Sequence, residues 1–102
     1  LSPKHNQIKF INEEIKKIKT PVLLAGDFNA TPHDIEVKNG FAKWNDLTDT
    51  TYTFSTREPT IKIDYIYGYP NQNFKLVSTK VHQDCKLSDH FPVSSIINYI
   101  NN

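Results

Sequence analysis

Isoleucines at 8, 11, 15 and 18 recur every three or four residues, behind Ser2-Pro3 and ahead of Thr20-Pro21. That spacing lines one face of a helix, Ser2 offers an N-cap, and Pro3 suits the first turn. The pattern predicts an amphipathic helix of about four turns. After Pro21 the run Val22-Leu23-Leu24-Ala25 is continuously apolar, which predicts a strand buried on both faces. Asp27 to Asp34 is polar and carries Pro32, so it reads as a loop, and Ile35 to Trp44 as a short helix broken at Gly40. Tyr52-Thr53-Phe54 is β-branched and aromatic, Arg57-Glu58-Pro59 is a turn, and Ile61 to Tyr67 reads as the hairpin partner, closed by Gly68-Tyr69-Pro70-Asn71. Phe74 to Val81 and Val93 to Ile100 are further strands. One helix, one strand, an irregular segment and then several strands predict an α+β or layered α/β protein with a mixed, mostly antiparallel sheet.

Composition narrows the classes. The 102 residues suffice for one small domain or a fragment, with no repeat and no linker. Lys and Arg number 12 against 11 Asp and Glu, so there is no broad basic field of the kind that drives nonspecific nucleic-acid binding. Lys9, Lys16, Lys17 and Lys19 read as the solvated face of the first helix, and Trp44 and the tyrosines as core rather than base-stacking platforms. The lone Cys85 excludes an intrachain disulfide and a multi-cysteine metal site. No apolar run approaches the roughly 18 residues of a membrane span, which predicts a soluble protein. The chain begins with Leu1 rather than Met, as a processed product or an excised segment would. Compartment stays open between cytoplasmic and exported. Asn29-Ala30-Thr31 is a glycosylation sequon, and a glycan there would cover a candidate site residue, which favours a bacterial or cytosolic origin.

Three acidic motifs carry the candidate chemistry. Asp27 and Asn29 leave the first strand two residues apart, and an extended backbone would project both side chains to one side. A carboxylate can take a proton from water there and a carboxamide can donate to an oxyanion; an Asx-turn that only satisfies backbone groups is the alternative. Asp64 sits between Ile63 and Tyr65, where a charge must be either exposed or paired. His90, in Ser88-Asp89-His90-Phe91-Pro92-Val93, is its candidate partner, because a carboxylate on an imidazole fixes the tautomer and raises basicity. His5 and His33 read as surface residues, and His82 has no suggestive neighbour. An oxygen-rich set favours Mg²⁺ or Mn²⁺ over zinc. A serine-hydrolase triad fails: there is no Gly-x-Ser-x-Gly elbow, and Ser88 is too near His90 in sequence.

Taken in order, Gly26-Asp27-Phe28-Asn29, Ile63-Asp64-Tyr65-Ile66 and Ser88-Asp89-His90-Phe91-Pro92-Val93 resemble the C-terminal motifs of the endonuclease/exonuclease/phosphatase superfamily. Tyr52-Thr53-Phe54 and the helix before Val22 also look like that family, so the resemblance covers essentially the whole chain. It implies the C-terminal half of a DNase I-like β-sandwich flanked by helices, over residues 1–102, with the N-terminal half absent. It also implies roles: Asp27 orients or deprotonates water, Asn29 positions water and phosphate, Asp64 orients His90, His90 contacts the scissile phosphate, and Asp89 contributes to the Mg²⁺ or Mn²⁺ site.

The family's N-terminal half supplies an asparagine, a metal-binding glutamate and usually another histidine, and none is assignable here. The resemblance thus implies a fragment of a divalent-metal phosphohydrolase, inactive in isolation, that would leave an apolar sheet face uncovered. The missing half or a second copy of the chain would cover it, the second case making a self-association module. A binding protein that has lost its chemistry is disfavoured by the intact acidic and histidine positions. Substrates of the family include nucleic acids, phospholipids and nucleotides, and the sequence does not choose among them.

Overall fold

The computed structural model describes residues 3–101, so the predicted N-cap at Ser2 lies outside them. Helix α1 spans Pro3–Ile15, burying Ile8 and Ile15. It stops a turn short of the predicted end, because Lys17 and Ile18 donate three residues back, to Glu14 and Ile15 at 3.1 and 3.0 Å, and tighten the backbone. Ile18 consequently falls off the buried stripe. Strand β1 (Val22–Asp27) follows, then α2 (Ile35–Gly40), β2 (Asn45–Asp46) and β3 (Asp64–Tyr69). Strands β4 (Phe74–Val81) and β5 (Val93–Tyr99) complete the chain.

The strands form two antiparallel ladders, β1-β3-β2 and β4-β5, the second bulged between Leu76 and Ser78. The expected α+β class with antiparallel sheets is therefore observed, although among the described residues no pairing is parallel. Parallel pairing requires a crossover between the paired strands, and among the described residues the one α-helix lying between strands, α2, joins β1 to β2, which do not pair. Tyr52 to Phe54 forms no strand either. Thr53 and Phe54 both donate to the Ile61 carbonyl, at 2.9 and 3.2 Å, so pairing there is one residue long and the ladder starts only at Asp64.

Both helices pack on one face of the three-stranded sheet. Val22 and Leu24 of β1 and Tyr65, Tyr67 and Tyr69 of β3 meet Ile8, Ile15, Val37, Phe41 and Trp44 there. Phe41 stacks on Tyr67 with ring centroids 4.5 Å apart, and Trp44 Nε1 donates to Asn12 Oδ1 at 3.0 Å. Asp34 caps α2 by accepting from the N–H groups of Glu36 and Val37 at 3.0 and 3.1 Å. Gly40 ends α2 where α1 approaches so closely that a Cβ would overlap the Ile8 side chain.

The opposite face corrects the expectation of a strand buried on both sides. Strand β1 is an edge strand in the described residues, and its alternate residues are uncovered: Leu23 is 53% exposed and Ala25 is exposed too. Cross-strand register places Ala25 opposite Ile66 and Asp27 opposite Asp64, so an apolar strip and two carboxylates share this face.

Candidate active site

The site lies where β1 and β3 run out. Asp27 is the last residue of β1, Asp64 the first of β3, and the two are register partners. His90 arrives from the loop between β4 and β5, bridged to Phe54 with ring centroids 4.9 Å apart. The imidazole stands between the carboxylates: Nδ1 is 2.8 Å from Asp64 Oδ2, and Nε2 is 3.6 Å from Asp27 Oδ2. A neutral ring donating from Nδ1 to Asp64 would turn a bare Nε2 lone pair toward Asp27, so two flanking carboxylates favour the doubly protonated form. The Asp64 hydrogen bond raises His90 above its ordinary 6.5, burial opposes it, and the charges of Asp64, Asp27 and Asp89 add to it.

Asp27 also holds the turn that follows it. Its Oδ1 accepts from the Asn29 N–H at 2.8 Å, and Asn29 takes a left-handed φ of 50°, a conformation Asn tolerates better than most residues. The Asx-turn is thus present, and it coexists with the site, because one carboxylate oxygen closes the turn and the other faces His90. Asn29 is not aligned with Asp27 by an extended backbone, since it lies beyond β1 in this turn. Ala30, next along, is pinned from below: Tyr65, buried on the helix face, donates its hydroxyl to the Ala30 carbonyl at 2.8 Å. Phe28 packs its ring 5.4 Å from those of Phe41, Tyr65 and Tyr67.

Asp27, Asp64 and His90 bring one ligand atom each within 4.8 Å of one another, a grouping able to hold a metal ion. The donors fit a hard divalent cation, being two carboxylates with one imidazole. Asp89 is not in that group; it is exposed, Ser88 Oγ donates to its Oδ1 at 3.3 Å, and its carbonyl accepts from the Thr56 N–H at 3.0 Å. A depression of about 280 Å³ adjoins the site, lined by Ala25, Gly26, Ile66 and Phe91 to Val93 among others.

Of the remaining histidines, His33 is exposed, His5 lies 3.9 Å from Glu36, and His82 pairs with Ser94 Oγ at 2.8 Å. Two residues next to the site went unmarked in the sequence pattern. Lys62 is 3% exposed, although the alternation Ile61-Lys62-Ile63 points it outward, and Thr53 is wholly buried. The alternation misleads because residues 61–63 precede β3 and do not follow a strand's period.

Known proteins share both the sequence pattern and the fold. The model of a family described as Endonuclease/Exonuclease/phosphatase family matches residues 2–90. Among solved structures, an endonuclease/exonuclease/phosphatase from Bacteroides vulgatus superposes with a TM-score of 0.78 at 21% identity, over 95% of this chain and 44% of that one. A functionally unknown conserved protein from Enterococcus faecalis gives 0.76 at 25% identity, again over 95% of this chain and 44% of its own. A Bacteroides thetaiotaomicron mannosyl-6-phosphatase gives 0.75 at 20% identity, over 94% of this chain and 46% of its own. The chain thus spans less than half the length of the structures it matches. No curated protein matches it.

Proposed function

The chain belongs to the endonuclease/exonuclease/phosphatase family, and on that premise we propose that it is the C-terminal half of a divalent-metal-dependent phosphohydrolase. The observation that carries this reading is His90 held between Asp64 at 2.8 Å and Asp27 at 3.6 Å, at the open end of two strands. In this reading water attacks phosphorus in line with the leaving oxygen, Asp27 orients it and takes its proton, and the P–O bond to the leaving group breaks. Asn29 helps position water and phosphate. His90 donates to a phosphoryl oxygen as charge builds there, and Asp64, behind the ring, fixes which nitrogen faces the substrate.

Asp89 is the residue we assign to the Mg²⁺ or Mn²⁺, on the resemblance of Ser88-Asp89-His90 to the family motif. A bound divalent ion would supply charge neutralisation at the phosphoryl oxygens. The substrate class is a phosphate ester. A phosphatase among the structural neighbours supports including phosphomonoesters beside the phosphodiesters of nucleic acids and phospholipids.

A second reading is favoured by one observation, the strip of exposed Leu23 and Ala25 and half-buried Ile66 beside the carboxylates. An apolar sheet face of this kind suits either the other half of the family domain or a second copy of the chain, and in the second case the chain is a self-association module. Light scattering on the 102-residue chain, followed by hydrolysis of bis(p-nitrophenyl) phosphate and p-nitrophenyl phosphate with Mg²⁺ or Mn²⁺, tests both. The isolated chain should show negligible turnover, and turnover should appear when the whole family domain is present. A monomer with robust, chelator-insensitive turnover contradicts both readings.

A further inference from the structure

The Asp64–His90 geometry depends on how the backbone of Asp64 is held, and the sheet does not hold it. Phe28 donates to the Ile63 carbonyl at 2.8 Å, which makes Asp27 and Asp64 the non-hydrogen-bonded pair of the β1–β3 ladder. The N–H and C=O of Asp64 therefore point away from β1, toward the side where β2 would lie. Strand β2 pairs only with Gly68 and Tyr67, and its last ladder bond runs from Leu47 N–H to the Ile66 carbonyl at 2.8 Å.

Two buried side chains stand in for the missing strand. Thr53, 0% exposed, accepts at Oγ1 from the N–H groups of Ile63 and Asp64 at 3.1 and 3.3 Å. Lys62 donates from Nζ to the Asp64 carbonyl at 3.0 Å and to Thr48 Oγ1 at 2.6 Å, with Nζ 4.3 Å from the centroid of the Tyr65 ring. The main chain of Thr53 reaches the other member of the pair. Its carbonyl accepts from the Phe91 N–H at 2.8 Å, and the next residue, Phe54, is bridged to His90 itself.

We propose that Thr53 and Lys62 are positioning residues: they replace a ladder strand at Asp64, and through the Thr53 carbonyl the same segment sets the distance from Asp64 to His90. The proposal rests on the phosphohydrolase reading, and its test separates the two. Thr53→Val keeps the branched shape and deletes Oγ1, whereas Thr53→Ser keeps the hydroxyl and deletes the methyl. In a chain carrying the whole family domain, with Mg²⁺ and bis(p-nitrophenyl) phosphate, Thr53→Val should lower kcat roughly 10- to 100-fold with KM within about twofold, as a small misplacement of a reacting group does. Thr53→Ser should stay within about threefold of wild type.

An independent signal comes from proton NMR of the 102-residue chain. The exchange-protected His90 Nδ1–H expected for a 2.8 Å bond should persist in Thr53→Ser and be lost in Thr53→Val. If Thr53→Val does not fold, Lys62→Met, which keeps an apolar stem and deletes the ammonium, should weaken the same signal. An unchanged ring proton in the folded variant, or a serine variant as impaired as the valine one, overturns the proposal. If instead His90→Ala leaves turnover intact, the phosphohydrolase reading fails, and the ring proton still decides whether Thr53 positions the Asp64–His90 pair.

Discussion

Replacing Tyr65 with Phe isolates the contact that ties the core to the turn carrying Asp27 and Asn29. The substitution removes one oxygen and keeps a ring that stacks on Tyr67 at 5.5 Å and packs on Phe28 at 5.4 Å. The lost atom donates to the Ala30 carbonyl at 2.8 Å, in a residue only 4% exposed. Losing a net hydrogen bond costs about 1 kcal/mol, and stranding a buried acceptor costs about 1–3 kcal/mol before relaxation. A loss of about 2 kcal/mol follows, which lowers Tm by roughly 10 °C in a domain of this size. Trp44, the single tryptophan and 5% exposed, reports unfolding in urea by its fluorescence. The midpoint should fall with the m-value unchanged, because the surface exposed on unfolding is the same. Burial pushes the Tyr65 phenol well above its ordinary 10, so the deficit should be constant across neutral and mildly alkaline pH. A deficit below about 0.5 kcal/mol at unchanged m refutes the pinning of this turn by Tyr65.

Three further outcomes are expected. Asp64→Asn should lower the pH at which His90 titrates, because the Asp64 hydrogen bond is what raises it; stability from this pair is present below 6.5 and lost as pH rises through the folded value, and an unmoved pH–rate profile removes Asp64 from the site. Asp34→Ala should cost about 1 kcal/mol at neutral pH as the lost cap of α2. The Lys4 ammonium, 2.6 Å away, holds the Asp34 carboxyl below its ordinary 3.8, so the difference between wild type and variant should vanish in acid as pH falls through the folded value; a pH-independent difference contradicts this. Gly40→Ala should destabilise despite a helix-propensity gain of about 1 kcal/mol, because overlap with Ile8 costs about 1–3 kcal/mol, and Ile8→Ala should restore part of the loss in a double-mutant cycle.

The parts of this protein legible in its sequence are those set by local pattern. Isoleucine spacing gave α1, Asp34 and Gly40 bound α2, and the apolar runs gave β1, β4 and β5. The meeting of Asp64 with His90 was legible for a chemical reason, since a carboxylate in an apolar stretch needs a partner. What escaped the pattern depends on contacts distant in sequence. An apolar run such as Val22 to Ala25 does not distinguish a strand covered on both faces from one whose second face is open. Lys62 carries no mark in the sequence because its inward partners, Thr48 and the Asp64 carbonyl, are set by a connection that only the fold brings back. Asn29 looked aligned with Asp27 until the turn put it at positive φ.

If Asp27, Asp64 and His90 form one wall of a phosphohydrolase site, removing the imidazole must cripple the chemistry. Steady-state turnover of the whole family domain with Mg²⁺ or Mn²⁺, compared between wild type and His90→Ala, measures this. A loss of at least roughly a hundredfold in kcat is expected, the effect of removing a donor to the developing charge. Near-normal turnover in the alanine variant would mean that these three side chains do not form such a site.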